Sequence, residues 1–341
     1  MVDNTLDFYL PNELNASLPP EERGIRRDHV RMMALDRNYG KIQHDLFFNL
    51  PEYLQPGDLV ILNNSRTIPA VFQAKNLSNG KMRANVEVRL ARRITEDTWE
   101  ALIVQDYTKI GDIFIFAPEL SAMVIGLKEK TPLAILKFEK KGSDLLNMFY
   151  SLGEPVRYEY INHPWDLDYY QTVFASHPGS VEMPSAGRAF SWELLFTLKQ
   201  KGIQVDFIQL HTGLSYLLDD KWHQTPEENE EEYHISEQTQ QKIIATKTAG
   251  KRIIAVGTTV VRTLETYAIS GELSGVTNLY INEHFPLRIA DGIITGLHEP
   301  EASHLDMLTA FISKQHLLQA YGHAIDAGYL WHEFGDMNLI I

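Results

Sequence analysis

The sequence predicts an α/β main domain with a mixed sheet and an inserted all-β barrel domain. Apolar strands alternate with amphipathic helices from about residue 190 onward, whereas closely spaced β-type segments without a helical pattern occupy the preceding third of the chain. The length of 341 residues also exceeds that of one ordinary domain. We therefore assign residues 1–66 and 152–341 to the main domain and residues 67–151 to the barrel.

The first 66 residues are expected to supply strands to the main sheet. The stretch HVRMMALDRNYGKIQHDLF reads as two strands joined by a turn at Asn38-Tyr39-Gly40. A turn at Pro56-Gly57-Asp58 precedes the apolar run LVILN, which predicts a buried strand. The polar residues that follow this run stand where ligand-contacting loops often lie.

The segment assigned to the barrel contains six short β-type runs, separated by polar or glycine-containing turns. They are FQAKN, ANVEVRLARRI, TWEALIVQ, IFIFAP, LSAMVIGL and LAILKFEKKG. The run NVEVRLARR alternates clearly between apolar and polar residues, as half-buried strands do. A short helix is predicted at its end, over residues 144–150.

Helices and strands alternate in the remainder of the chain. Ser191 and Ser236 are predicted to cap two helices, the second of which ends near Gly250. Ser303 and Asp306 form a capping-box pattern that predicts one long helix over HLDMLTAFISKQHLLQAYGHAI. The runs VDFIQLHTGL, IADGIITGLHEP and HEFGDMNLII predict strands.

The stretch RIIAVGTTVVRTLET is the predicted centre of the sheet. Its apolar run forms a buried strand, Gly257 breaks it, and Thr258 or Thr259 is expected to supply a hydroxyl cap for the next helix. The free amides at a helix start bind carboxylates or phosphates. From these residues alone an ordinary strand-to-helix connection is the favoured explanation, and no Gly-Lys-Ser/Thr follows to make it a phosphate loop.

Four predicted strands end in polar or glycine-rich segments. In a mainly parallel sheet the carboxyl ends of the strands meet at one edge, where ligands bind. The sequence therefore predicts a pocket that joins Asn63 to Arg66, His211 to Gly213, Gly257 to Thr259, and Gly296 to His298.

Composition restricts the classes of partner. The net charge of −14, from 31 Lys plus Arg against 45 Asp plus Glu, repels a polyanion unless a basic patch is segregated. The absence of cysteine excludes disulfides and thiolate sites, and it fits a cytoplasmic protein. Neither a membrane-spanning stretch nor a signal-peptide pattern is expected.

Two basic clusters are candidate nucleic-acid contacts, and the histidines around Glu299 are candidate metal ligands. A solvated surface is the commoner explanation for each basic cluster, and the acidic run from Glu227 to Glu232 is expected to be a solvated loop. No metal is predicted, because the histidines around Glu299 lack metalloprotease spacing. The two basic clusters are Arg23, Arg26, Arg27, Arg31 and Arg37, and Lys75, Lys81, Arg83, Arg89, Arg92 and Arg93.

Seven segments, in order along almost the whole chain, carry a resemblance to a known family. They are DFYLP, GDLVILNNSRTIPA, YYQTVFA, GSVEMPSAG, LHTG, RIIAVGTTVVRTLE and FGDMNLI. The chain resembles the S-adenosylmethionine:tRNA ribosyltransferase-isomerases of queuosine biosynthesis. The resemblance implies transfer and isomerisation of the ribosyl group of S-adenosylmethionine onto the 7-aminomethyl-7-deazaguanine of tRNA, with release of adenine and methionine. S-adenosylmethionine is then a co-substrate.

This chemistry needs a base, a carboxylate pocket and polar groups for the ribose. His211, His298 and Glu231 (or Glu232) are the candidate proton-transfer groups. Gly257, Thr258 and Thr259, with Arg262 and Gly213, are the expected donor-binding residues. The expected substrate contacts are Arg31, Arg66, Gln171, Thr172, Pro184, Ala186, Gly187 and Asp336.

The chain also departs from the family pattern in loops expected to line the site. Ala189 replaces a histidine, Ser215 and Tyr216 replace a glycine and a threonine, Tyr169 replaces an arginine, and Glu301 replaces a basic residue. Added acidic residues would repel a tRNA backbone if they face it. Two alternatives therefore stand beside the tRNA enzyme: a divergent paralogue with a small-molecule acceptor, and a non-catalytic binding protein.

Overall fold

The computed structural model describes residues 6–78, 81–105, 107–129, 131–158, 160–215, 230–300 and 302–341. The strands are β1 Arg31–Leu35, β2 Ile42–Leu46, β3 Leu59–Asn63, β4 Ser65–Thr67, β5 Val71–Ser78, β6 Lys81–Arg93, β7 Thr98–Val104, β8 Ile113–Ala117, β9 Leu120–Leu127, β10 Leu133–Phe138, β11 His177–Ser180, β12 Gln204–Leu210, β13 Glu231–His234, β14 Ile253–Val256, β15 Ser274–Thr277, β16 Gly292–Gly296 and β17 Met337–Ile340. The α-helices are α1 Gly142–Leu152, α2 Trp192–Gln200, α3 Glu237–Thr248, α4 Thr258–Ser270, α5 Ser303–Leu308 and α6 Lys314–Asp326.

Strands β5 to β10 close into an antiparallel barrel in the order β10-β7-β6-β5-β8-β9. Alternate residues of β5 are buried, because successive side chains of a strand point to opposite faces. Helix α1 packs its Phe149 against Phe72, Trp99 and Phe138, with ring centroids 5.3 to 5.6 Å apart. The predicted barrel and the short helix after it are both confirmed.

The main domain is built on a mixed nine-stranded sheet, in the order β15-β13-β12-β3-β14-β16-β17-β1-β2. Its central strands β12, β3, β14 and β16 are parallel. Every residue of β3 and β14 is buried, as expected for parallel strands covered on both faces. Their carboxyl ends therefore meet at one edge of the sheet. The predicted α/β domain with a mixed sheet is confirmed.

Two predicted helix caps are confirmed, and one predicted helix is divided into two. The Oγ atoms of Ser191 and Ser236 accept backbone hydrogen bonds of 3.1 and 3.0 Å and cap α2 and α3, as predicted. The prediction of one long helix from Ser303 is wrong. The chain forms α5 and α6 instead, because buried Phe311 and Ile312 turn inward and Ser313 caps a new helix. Among the described helices, none has the length and apolar character needed to span a bilayer.

The start of α4 also differs from the prediction. Gly257 is its N-cap residue, with φ 91° and ψ 156°, and no side chain donates or accepts a capping hydrogen bond there. Thr258 and Thr259 already belong to the first helical turn, so neither threonine hydroxyl caps the helix. The backbone conformation at the cap is one that essentially only glycine adopts.

The acidic run is not a solvated loop over its described part. Glu231 is 3% exposed and begins β13, which pairs with β12 and β15. Strand pairing places alternate residues of this segment on the inner face of the sheet. Glu227 and Glu228 lie outside the described residues.

Candidate functional site

A cavity of about 650 Å³ lies at the carboxyl edge of the main sheet. Four short segments form most of its wall: residues 182–187, 257–259, 295–299 and 332–333. The predicted convergence of strand ends is confirmed, because Asn63 and Thr212 line the same cavity as the segments after β14 and β16. Pro184, Ala186 and Gly187 lie on the cavity wall as well.

Gly257, Thr258 and Thr259 form one wall of the cavity. The Gly257 amide donates to the Ile294 carbonyl at 2.7 Å, which fixes the end of β14 against β16. The amides of Thr258 and Thr259 lie in the first turn of α4, where the helix itself offers them no acceptor. We name this pair of amides, with the Gly257 turn before them, the amide fork. It presents two donors and the positive end of the helix dipole to the cavity.

His298 lies on the same cavity, just after β16. Its Nε2 lies 2.8 Å from Thr295 Oγ1, and its carbonyl accepts from Trp331 Nε1 at 3.0 Å. Burial lowers the pKa of His298 well below its ordinary value, and the nearby imidazoles of His304 and His332 add to this effect. His298 is therefore a neutral imidazole at pH 7, held in place by its neighbours.

Two carboxyl groups and three rings form a further part of the cavity wall. We name this group the acid–ring wall; its members are Tyr158, Tyr160, Glu182, His332 and Glu333. Burial raises the pKa of Glu333 to about 8, and the charge of Glu182 contributes. Burial also raises the pKa of Glu182, although Ser215 and Tyr158 donate hydrogen bonds to it. Our sequence analysis did not single out either carboxyl group, although both stand beside or within segments that carry the resemblance.

Similarity to known proteins extends over the whole chain. A family profile described as queuosine biosynthesis protein matches residues 3–340. The chain belongs to this family. It is 36% identical over 349 residues to the S-adenosylmethionine:tRNA ribosyltransferase-isomerase of Carboxydothermus hydrogenoformans, covering 98% of both chains. It is 36% identical over 337 residues to the enzyme of that name from Aquifex aeolicus, again covering 98% of both.

A solved structure is similar as well. The crystal structure of S-adenosylmethionine tRNA ribosyltransferase from Thermotoga maritima matches with a TM-score of 0.57 and 31% identity, over 98% of this chain and 99% of that one. The resemblance stated from the sequence is thus confirmed. The relatives named here give no support to the small-molecule acceptor or to the non-catalytic role.

His211, predicted to take part in proton transfer, does not lie on the cavity wall. His211 is 8% exposed, and its Nδ1 lies 2.7 Å from Ser65 Oγ. Its Nε2 lies 2.7 Å from Gln209 Nε2, and its ring packs on Gly179. Both ring nitrogens are therefore occupied by internal hydrogen bonds, and the side chain joins β4, β11 and β12.

Glu231, Arg262 and Gly213, predicted to be catalytic or donor-binding residues, contact one another. The Arg262 guanidinium forms an ion pair with Glu231, whose side chain is 4% exposed. Burial raises the pKa of Glu231, and the Arg262 charge and the Gly213 amide oppose this rise. None of the three residues lines the cavity. The ion pair between Arg262 and Glu231 therefore joins α4 to β13.

Arg31 and Asp336 bind each other instead of lining the cavity. Asp336 accepts from the Arg31 amide at 2.9 Å and from its guanidinium at 3.1 Å. Asp336 also accepts from the Leu330 amide at 2.8 Å, so it holds the turn that carries His332 and Glu333. Their predicted substrate contacts are replaced by a supporting role.

Three other predicted substrate contacts lie away from the cavity wall. Gln171 bonds both backbone groups of Thr67, with distances of 2.7 and 3.1 Å, which ties its loop to β4. Thr172 is buried. Arg66 is exposed, and its guanidinium lies 5.6 Å from the centre of the Tyr150 ring. The motif around these residues therefore supports the fold near the barrel junction.

The basic clusters are largely paired with carboxylates. On the barrel, Arg92 and Arg93 form ion pairs with Glu230 and Glu232 at 2.9 and 3.0 Å. In the N-terminal cluster, Arg26 and Arg27 pair with Asp28 and Glu21, while Arg31 pairs with Asp336 as described above. Glu301, predicted to oppose a tRNA backbone, lies outside the described residues. Within the described ranges, no group of three or more His, Asp or Glu could hold a metal ion.

The buried His211 predicts a pH dependence of stability. Burial lowers its pKa to about 4, whereas an unfolded histidine titrates near 6.5, so between these values only the unfolded chain binds the proton. The neutral His211 side chain therefore favours the folded state at neutral pH. This contribution to the unfolding free energy falls by about 1 kcal/mol when the pH is lowered to 5.5. We expect the difference in unfolding free energy between pH 7.5 and 5.5 to shrink by about 1 kcal/mol in His211→Gln, measured by urea denaturation. Exposed His234→Gln is the control; an equal shrinkage there would contradict the assignment.

Proposed function

We propose that this chain is an S-adenosylmethionine:tRNA ribosyltransferase-isomerase. It transfers and isomerises the ribosyl group of S-adenosylmethionine onto the 7-aminomethyl-7-deazaguanine of tRNA, giving epoxyqueuosine with release of adenine and methionine. The carrying observation is that the amide fork and a neutral His298 face one cavity, in a chain that matches the queuosine family over residues 3–340. With tRNA as its substrate, the protein works in the cytoplasm.

The amide fork is the proposed site for the methionine carboxylate of the donor. Two amides and the dipole of the 13-residue helix α4 stabilise a negative group without a cationic side chain. This role does not need Arg262, which forms an ion pair with Glu231. The cavity volume of about 650 Å³ falls within the range of small-molecule sites.

His298 is the proposed base of the reaction. A sulfonium acidifies the neighbouring ribose carbon, so a modest base can remove a proton from it. The lowered pKa of His298 keeps its imidazole free of a proton at neutral pH, and the contact with Thr295 orients the ring. Among the three residues predicted for proton transfer, His298 alone lies on the cavity wall.

The acceptor amine attacks the activated ribosyl group, and this step requires an unprotonated amine lone pair. Opening of the ribose ring and closure of the epoxide then expel adenine and methionine, which leave as the two products of the donor. The rings and polar groups of the acid–ring wall offer a surface for a flat base. Phosphate contacts would then come from elsewhere on the molecule.

The test follows adenine release from S-adenosylmethionine, first alone and then with tRNA bearing 7-aminomethyl-7-deazaguanine. We expect adenine release that depends on this tRNA and an epoxyqueuosine adduct detected by mass spectrometry. His298→Gln should lower the rate at least about 100-fold, the scale of general base catalysis, while exposed His284→Gln should not. Adenine release without an adduct on the tRNA would mean another acceptor. Lack of any donor uptake would reject the enzyme proposal altogether.

A further inference from the structure

The proposed reaction gives no chemical role to the two carboxyl groups of the acid–ring wall. Glu182 accepts from the Ser215 amide at 2.7 Å, from Ser215 Oγ at 2.9 Å and from Tyr158 OH at 3.2 Å. These hydrogen bonds hold its carboxylate in one position. Glu333 lines the same cavity, and the charge of Glu182 contributes to raising the pKa of Glu333.

Glu333 has no comparable set of donors. Its Oε2 is buried and has no hydrogen-bond partner within the described ranges. The neighbouring cation is Arg188, which instead donates to Glu21 at 2.9 Å and to the Tyr169 carbonyl at 2.8 Å. A buried carboxyl oxygen without a partner is costly, and in a cavity wall a ligand donor can complete it.

Three stacked rings border the same carboxyl groups. Tyr158 and Tyr160 stack with centroids 5.7 Å apart and an interplanar angle of 9°. Tyr160 and His332 stack at 4.6 Å and 21°. Aromatic faces attract cations, and the attraction increases where water is excluded. Rings beside acidic groups therefore favour a positively charged ligand group over an anionic or purely apolar one.

The turn that carries Glu333 is held rigidly. His332 has φ 71°, which is the one left-handed backbone conformation among the described non-glycine residues. On one side the Trp331 amide donates to the Leu14 carbonyl at 2.8 Å, and on the other the Asp336 amide donates to the Leu330 carbonyl at 2.8 Å. The backbone that carries the unpartnered carboxyl is thus fixed at the cavity wall.

We propose that Glu333, with Glu182 and the Tyr158–Tyr160–His332 ring stack, forms a subsite for a primary ammonium group of a substrate. This inference rests on the proposed function for the source of that group, because the reaction brings two primary amines into the cavity. One is the α-amine of S-adenosylmethionine, and the other is the aminomethyl group of the acceptor base, which binds as its ammonium form and loses that proton before it attacks. A nearby ammonium favours the ionised form of Glu333, so binding completes the unpartnered oxygen with a charge-assisted hydrogen bond.

Calorimetry on the full chain tests the subsite with matched ligand pairs. The donor pair is S-adenosylmethionine and its 2-oxo analogue, which lacks the amine. The acceptor pair is 7-aminomethyl- and 7-methyl-7-deazaguanine. In Glu333→Gln we expect at least about 10-fold weaker binding of the amine-bearing member of one pair, with no change for its partner, as for loss of a charged hydrogen bond. Which pair responds identifies the source of the amine. Glu139→Gln, an exposed carboxylate beyond β10, is the control and should change nothing.

A further pair separates failure of the subsite from failure of the proposed function. Benzylammonium and benzyl alcohol are titrated by ligand-observed NMR, and wild type should prefer the ammonium whereas Glu333→Gln should not. If that preference is present but S-adenosylmethionine does not bind, the function fails and the subsite stands. If Glu333→Gln weakened the binding of both members of every pair equally, Glu333 would contact another part of the ligand. This result would overturn the proposal. A fall in melting temperature of Glu333→Gln would also oppose it, because removal of an unpartnered buried acid should not destabilise the fold.

Discussion

Gly257→Ala is expected to weaken S-adenosylmethionine binding by at least about 100-fold, which corresponds to about 2.7 kcal/mol. Gly257 has φ 91° and ψ 156°, a backbone region that costs other residues about 1–3 kcal/mol. An added Cβ would also lie 3.3 Å from the side chain of Ala186, which lines the same cavity. Relief of both strains moves the amides of Thr258 and Thr259, and two charge-assisted hydrogen bonds to the donor carboxylate are then misaligned.

The opposite end of the same helix supplies a matched control. Gly271 has φ 75°, and no atom lies within 4 Å of a Cβ built there. Gly271→Ala therefore carries backbone strain without a clash at the cavity, and it should lower stability slightly while leaving the dissociation constant unchanged. Isothermal titration of both variants decides the matter. If Gly257→Ala bound the donor as tightly as the wild type, the amide fork would not be part of the donor site.

The elements that the sequence predicts well are those specified by local pattern. Strand β14 is an unbroken apolar run, and all four of its residues are buried. The barrel strands show their alternation in single short segments. A serine before a helical pattern identifies a cap in the same way. The hydroxyl oxygens of Ser191 and Ser236 accept from amides only three residues away. Such features depend on neighbours in sequence, so one chain is enough to predict them.

The acid–ring wall could not be predicted in this way. Glu182 and Glu333 come from distant loops, and only the folded sheet brings them to one cavity. The ligand contact predicted for His211 could not be judged from the sequence either. Its position after a strand suggested a ligand contact, but Ser65 and Gln209 hold both its nitrogens. Whether a polar residue at a strand end faces a ligand or a neighbour depends on partners that are distant in sequence.

The Arg262–Glu265 spacing illustrates the same limit. Three residues apart on a helix, the two side chains suggest an ion pair. In the folded chain Arg262 pairs with Glu231, while Glu265 is fully buried and accepts from the backbone amides of residues 288–290. Helical spacing brings side chains near each other, but the surrounding elements decide which contacts form.

Glu265→Ala is expected to cause the largest loss of stability, about 4 kcal/mol of unfolding free energy. The Glu265 carboxylate is 0% exposed and accepts from the amides of Arg288, Ile289 and Ala290 at 2.8, 2.9 and 2.9 Å. Alanine would leave three donors unsatisfied in a dry site and add a cavity. Urea denaturation followed by circular dichroism measures the change, with Glu265→Gln losing roughly half as much because one oxygen can still accept.

Glu272→Ala is the control for this loss, since Glu272 is exposed just beyond the end of α4 and its removal should change stability by less than about 0.5 kcal/mol. A loss below about 1 kcal/mol in Glu265→Ala would mean that water satisfies the three amides and that the carboxylate is dispensable. The expected loss has a direct bearing on the site. Helix α4 begins at the amide fork, and β16, which follows the segment bound by Glu265, ends two residues before His298. The three hydrogen bonds therefore join the element that presents the donor-binding amides to the element that presents the proposed base.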